Sequence, residues 1–296
     1  MVKEGMLNFF AKHYKILMFI PIIITIISII MIGSFYAKTG SLFYKDVSIS
    51  GGISATIYTD KPLTESQVHK ALGVDTEVRK LTEFGTGKNT GFIIDTPTLS
   101  KKELTDLLKK NFDIELNNKN SSVQETTARF GGPFFRQLLI ALLVAFILMA
   151  ITVFITFRSP APSLAIVGAA AMDIIITLAI VNLLNIKISS AGIIAFLLIV
   201  GYSIDTDILL TTWSIRKKGE GTLLNRMWHS FITGLTMTAC AIAVMITGLL
   251  FSNSNVIIEM FSIVFIALIV DVFTTYLTNA GILYIWCKKK GITWAK

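Results

Sequence analysis

Six blocks of about 20 or more largely apolar residues dictate what this chain can become. They fall near residues 16–37, 134–157, 162–184, 188–212, 230–251 and 257–286. Each is long enough to cross the roughly 30 Å hydrocarbon core of a bilayer as a helix. A water-soluble domain of 296 residues could bury a core, but its apolar residues would not gather in such runs. The chain is 53% hydrophobic and 16% charged, with a mean hydropathy of +0.68. The expected fold class is an α-helical polytopic membrane protein of six transmembrane helices. One polar insert of about 95 residues separates the first helix from the second.

The formal charge of +8 does not point to nucleic acid, because the bases form no single stripe. They gather at the ends of the apolar blocks and across the insert. Lys3, Lys12, Lys15, Arg158, Arg216, Lys217, Lys218, Arg226 and Lys288 to Lys290 fall on one side of the membrane, and Lys187 is the only base in the short loops opposite. The excess of bases in short loops marks the cytoplasmic side. Both termini are therefore expected in the cytoplasm and the insert outside it. The first block lacks a small-residue cleavage signal behind it, so a retained span is expected rather than a signal peptide. The expected domains are 1–37, the N-terminus and first span; 38–133, the extracytoplasmic insert; and 134–296, a five-helix bundle with a cytoplasmic C-terminus. Cys240 and Cys287 both lie in spans, which leaves no disulfide framework.

The insert reads as a small α+β domain. Residues Ile53 to Tyr58 alternate as a strand does, and Thr64-Glu-Ser-Gln67 has capping-box spacing before a short helix ending near Gly73. Strands at Glu77 to Phe84 and Thr90 to Asp95 flank Gly85-Thr-Gly-Lys-Asn89, a hairpin turn. Ser100 caps a second helix through Lys110, and Phe112 to Leu116 supplies the last strand. The order β-α-β-β-α-β is that of a ferredoxin-like domain. Asn120-Ser-Ser122 matches a glycosylation sequon.

Four aspartates interrupt the apolar blocks: Asp173, Asp205, Asp207 and Asp271. A carboxylate at such depth costs about 2.5–3.5 kcal/mol even on the lenient insertion scale. No Lys or Arg lies at comparable depth in the sequence, which points to proton or ion handling or to a partner that supplies cations. Asp205 and Asp207 are two residues apart, about 200° around a helix, so they cannot serve one small site together. One is expected to face the bundle interior and the other a neighbouring helix or chain. Asp173 ends the small-residue run Gly168-Ala-Ala-Ala-Met, which lets another helix approach. Asp271 precedes Thr274, Thr275, Thr278 and Asn279, a polar edge that lines a cavity or packs against a partner. For each acid, two readings stand: proton exchange in a low-dielectric site, or hydrogen-bonded helix glue. Glu259 lies near a span end and has no assigned role.

Other chemistries lack their motifs. An intramembrane aspartyl protease needs G-x-G-D and Y-D, whereas Asp173 follows Ala-Ala-Met and Asp205 follows Tyr-Ser-Ile. Gly85 to Gly91 lacks phosphate-loop spacing. His13, His69 and His229 have no second ligand at metal spacing. No metal, no cofactor and no enzymatic activity are expected.

One large external domain between helices one and two, then five closely spaced helices, is half of the resistance-nodulation-division plan. Val200-Gly-Tyr-Ser-Ile-Asp-Thr-Asp207 resembles the fourth-helix signature of the SecD/SecF family on its SecF side, in archaeal form. Gly201, Tyr202 and Ser203 carry that motif. Asp46 to Gly52, with Gly51 and Gly52, resembles the stretch that follows the first helix, and Asp173 and Asp271 match acids of the third and sixth. The resemblance implies a SecD-like membrane partner, the Sec translocon and a translocating polypeptide within a lipid bilayer. It implies an accessory role in protein export, with protons moving at Asp173 and Asp205. Relatives place an Arg near the inner end of helix four where this chain has Trp213, which leaves Arg216 as the candidate counter-ion. The alternative is half of a proton-driven small-molecule or lipid exporter of the same superfamily.

Overall fold

The computed structural model describes residues 2–46, 49, 51–59, 61, 63–73, 76–82, 89–117, 120–126, 128–216, 221–252 and 254–292. The chain divides into two compact units: Met1–Tyr44 with Ile140–Lys296, and Lys45–Leu139.

Six helices in the chain are long and apolar enough to span a membrane. Helix α1 covers Val2–Thr39. At 1.5 Å per residue, its 38 residues reach about 57 Å, well beyond a hydrocarbon core. It begins some 14 residues before the expected start at 16. The early turns persist because they have packing partners: Phe10 and Tyr14 set their rings edge-on to Tyr284 at 5.9 and 4.9 Å.

The other spans are α4 (Ala128–Phe157), α5 (Pro160–Leu183), α6 (Ser190–Ile215), α7 (Leu223–Phe251) and a last span of three parts. That last span runs as α8 (Asn255–Phe273), a π-helical turn (Thr274–Asn279) and α9 (Ala280–Lys289). The sequence reading made it one uninterrupted helix and did not anticipate the π-turn. Helix α7 starts seven residues earlier than expected, because the Thr222 hydroxyl accepts from the Asn225 amide and caps it.

Helix α6 is the hub of the bundle, packed against α5, α7 and α8. Close approach is tightest at two of the bundle's glycines. A Cβ on Gly248 would lie 1.8 Å from the Phe261 ring, and one on Gly234 would lie 1.8 Å from the Tyr276 hydroxyl. The two bundle ends are tied differently. At one end, Asn182 donates to the Leu42 carbonyl and the Ile188 amide to that of Tyr44, at 2.8 and 2.7 Å. At the other, basic end, Arg216 donates to the Thr156 carbonyl and Arg226 to that of Ile292.

The second unit holds an antiparallel sheet of order β2-β3-β1-β4, made of β1 (Gly52–Tyr58), β2 (Glu77–Thr82), β3 (Asn89–Thr96) and β4 (Ser121–Thr126). Helices α2 (Glu65–Leu72) and α3 (Lys101–Phe112) supply its second layer. Alternate residues Ile53, Ala55 and Ile57 of β1 join Phe92, Ile94, Val68, Leu104 and Leu108 in one core. Each buried Val, Leu, Ile or Phe among them contributes roughly 1.5–3 kcal/mol. Both helices open on the expected capping boxes. In α3 the Ser100 N–H and hydroxyl donate to Glu103 at 2.8 and 2.7 Å and hold its carboxyl below the usual range. A depressed carboxyl stabilises above its ordinary pKa, so this contribution is lost as pH falls through the acid range.

The expected last strand at Phe112 to Leu116 is incorrect. Phe112 closes α3, Asp113 turns the chain at φ 51°, and buried Ile114 joins the core without pairing as a strand. Strand β4 follows at Ser121, where Val123 alone reaches the core, so its apolar alternation is too weak to read. The Gly85 to Asn89 turn lies largely outside the described residues, although β2 and β3 pair as expected.

Gly51 and Gly52 lead into β1 with φ of 81° and 130°. A Cβ on Gly52 would stand 2.4 Å from the Thr96 carbonyl oxygen and 2.8 Å from the Pro97 Cα. Gly52→Ala is expected to cost roughly 1–3 kcal/mol in backbone strain. Hydrogen exchange on the full chain should show faster exchange at the β1 and β3 amides.

Candidate functional site

Three of the four aspartates converge. Asp173 on α5 and Asp207 on α6 are fully buried, and Asp271 on α8 is 3% exposed. Low-dielectric surroundings demand donors for each carboxyl oxygen, and two polar stripes provide them. On α6, Ser203 donates to Asp173 at 2.5 Å, and Thr206 reaches Asp271 at 3.0 and 3.2 Å. These positions share the inward face with Asp207 because they recur at helical spacing.

The second stripe belongs to the π-turn. Thr274 donates to Asp173. Thr275 donates to Asp207 at 2.9 Å and also reaches Asp271 at 3.2 Å. Asn279 adds its amide to Asp207 at 2.6 Å. The wider π-turn aims adjacent residues, Thr274 and Thr275, at carboxylates on two different helices. Such turns recur at functional sites. The second carboxyl oxygen of Asp207 and the amide oxygen of Asn279 have no hydrogen-bond partner. Among the described residues, hydroxyls and one amide hold the three carboxyls, and no Lys or Arg forms an ion pair with them. The arrangement links the three acids through shared donors, since Thr275 reaches both Asp207 and Asp271.

Asp205 lies elsewhere. It is exposed on the outer face of α6, in line with Ile194, Leu198, Gly201 and Tyr202. Of the pair, Asp207 is the buried member and Asp205 the exposed one, a choice that the two-residue spacing left open. Of the α6 motif residues Gly201, Tyr202 and Ser203, Ser203 is the one that donates to the cluster. Arg216 is no counter-ion to the cluster: it donates to the Thr156 carbonyl at the end of α4 and sits 5.3 Å over the Phe157 ring. Trp213 stacks on His229 at 5.7 Å. Gly51 and Gly52 serve the sheet of the other unit.

Sequence reasoning missed three participants. Thr206 was hidden between two acids, although its three-residue spacing from Ser203 marks the shared face. Glu259 accepts from the Ser189 amide at 2.7 Å, so it caps α6 and favours its N-terminal dipole. Arg226, read as a loop base, is fully buried at the start of α7. Both cysteines are free, and no group of three metal-ligating side chains occurs among the described residues.

Six helices long and apolar enough to span a membrane, with a small α+β unit in the first connection, define a polytopic membrane protein. The family model "Protein export membrane protein SecD/SecF, C-terminal" matches residues 106–289. The SecF protein-export membrane protein of Methanocaldococcus jannaschii is 33% identical over 92% of this chain and 95% of its own. That of Pyrococcus furiosus is 30% identical over 98% and 96%. The chain belongs to the SecD/SecF family of protein-export membrane proteins, on its SecF side. Its fold matches the crystal structure of SecDF, a translocon-associated membrane protein from Thermus thermophilus, with a TM-score of 0.73 at 19% identity over 95% of this chain. This chain spans 38% of that one.

Thr275 serves two carboxyls, so Thr275→Val leaves buried oxygens unsatisfied. It is expected to cost about 1–3 kcal/mol, read as a lowered unfolding midpoint in lipid or detergent. Thr236→Val is the control: that exposed hydroxyl bonds only its own helix, and its loss should be near neutral.

Proposed function

We propose that this chain is an accessory subunit of the Sec protein-export machinery, working beside a SecD-like second half. Its export role is supported by the SecF relatives and by the SecDF fold, of which it covers 38%. The relatives' names favour protein export over the small-molecule or lipid exporter. In this reading the chain spans the cytoplasmic membrane with both termini inside, and the Lys45–Leu139 unit faces outward to meet the translocating polypeptide. The β-α-β-β-α-β order with strand order β2-β3-β1-β4 supports a ferredoxin-like description of that unit. The subunit does its work without catalysis or cofactor.

The observation that carries the mechanism is the convergence of Asp173, Asp207 and Asp271 on hydroxyl donors. The carboxyls share donors, so adding or removing one proton would redistribute hydrogen bonds across the cluster. Each donor sits on α6 or the π-turn, so a change in protonation bears directly on how α6 packs against α5 and α8. Such a local change biases a bundle between two arrangements. Asp205, on the outer face, is then available to the SecD-like half at the seam along α6.

The test pairs two substitutions. Asp207→Asn is expected to remove a titrating carboxyl band from infrared spectra in lipid, and to impair secretion and proton uptake by proteoliposomes holding both halves. Asp205→Asn should leave the band in place and weaken copurification of the SecD-like chain. Normal secretion in both Asp207→Asn and Asp173→Asn would remove the coupling role.

A further inference from the structure

Toward the basic end of the bundle, one turn below the acidic cluster, lies a half-open apolar groove of about 240 Å³. The early turns of α1 form one wall through Met6 and Phe10. Leu210 of α6, Trp228 of α7 and Tyr276 and Leu277 of the π-turn form the rest. Almost no polar surface lines it. Apolar cavities of about 150 Å³ stay dry and take up hydrocarbon, so this larger groove suits an alkyl chain better than water or a polar solute.

Two features say what kind of molecule brings that chain. Met6 and Phe9 remain 44% and 55% exposed beside the groove, on a helix extending past the length a bilayer core requires. The flanks are cationic. Lys3 lies one helical turn from Met6 and Leu7, and Lys288 two turns beyond Ala280, all three apolar residues lining the groove. Both lysines are exposed, as are Lys12, Lys15, Lys289 and Lys290 at the same end, with Glu4 the acid of the first turn of α1. Trp228 adds an aromatic ring of the kind that settles at the headgroup level. An apolar slot between spanning helices with a basic mouth fits a membrane lipid that has an anionic headgroup.

We propose that this groove takes one hydrocarbon chain of an anionic membrane lipid, with its headgroup against Lys3 and Lys288. The site is separate from the acids, yet it shares a wall with them. Tyr276 and Leu277 line the groove, while Thr275 and Asn279 on either side donate to Asp207. A seated chain therefore braces the turn that positions those donors. Tyr276 is held by an edge-on contact at 5.0 Å with Phe231, which also lines the groove.

Native mass spectrometry of the full chain, released from bilayers of mixed phosphatidylglycerol and phosphatidylcholine, tests this without any export step. A failure here therefore leaves the export reading intact. Retained phosphatidylglycerol is expected, with Lys3→Gln and Lys288→Gln each lowering its preference over phosphatidylcholine about fivefold. Leu210→Trp, which fills the groove, should abolish retention. On the unmutated chain, a phosphatidylglycerol carrying a photoreactive group in its acyl chain should label the α1 segment 6–17 and the π-turn. Labelling spread evenly over the bundle would overturn the proposal. So would equal retention of both lipids, or a dimer whose second copy occupies the groove.

Discussion

Three carboxyl groups packed into a region of low dielectric set the terms for the rest of the bundle. Each needs donors close at hand, and a transmembrane helix offers none from its own backbone, whose amides are already spent on the helical ladder. The chain answers with hydroxyls at helical spacing on α6 and with a π-turn in the last span. Ser203 and Thr206 occupy the same face as Asp207, so one helix carries both an acid and the donors for two others. The π-turn presents Thr274, Thr275 and Asn279 within a single wide turn. Small rotations of α6 or of that turn would break several of these bonds together.

The bundle ends keep the helices in the positions this network requires. Arg216 and Arg226 spend their charge on the carbonyls at the C-terminal ends of α4 and of the segment after α9. Cations at such ends also favour the local helix dipole. Glu259 performs the matching task at the opposite end, accepting from the first amide before α6. Glycines at 234 and 248 let aromatic rings fill the space between helices, and a methyl group at either would displace a ring. Arg216, Arg226 and Glu259 thus hold the frame, Asp173, Asp207 and Asp271 are held inside it, and Asp205 faces outward.

Much of the architecture was legible in the sequence. Six spans, a polar insert with two capped helices and three of its four strands all follow from hydropathy and local spacing. Strand β4 was not legible, because its pairing with β1 comes from backbone bonds and only Val123 adds apolar contact. The start of α1 was not legible either, since its first turns are kept by Tyr284 from the far end of the chain. The acids themselves stood out at once, while the family resemblance alone pointed to Asp173 and Asp205 as the proton carriers and to Arg216 as a counter-ion.

Length and hydropathy run along one dimension, so the sequence by itself determined that six segments are long and apolar enough to cross a membrane and that acids interrupt them. It could also establish that Asp205 and Asp207 face opposite ways, because 100° per residue is a property of any α-helix. Which of them turns inward depends on how α6 is rotated against α5, α7 and α8, and only packing between distant segments fixes that rotation. The π-turn is decided at the same level. It replaces the regular ladder of the last span, and its hydroxyls and amide reach Asp173 and Asp207 on helices about 70 to 100 residues away in the chain.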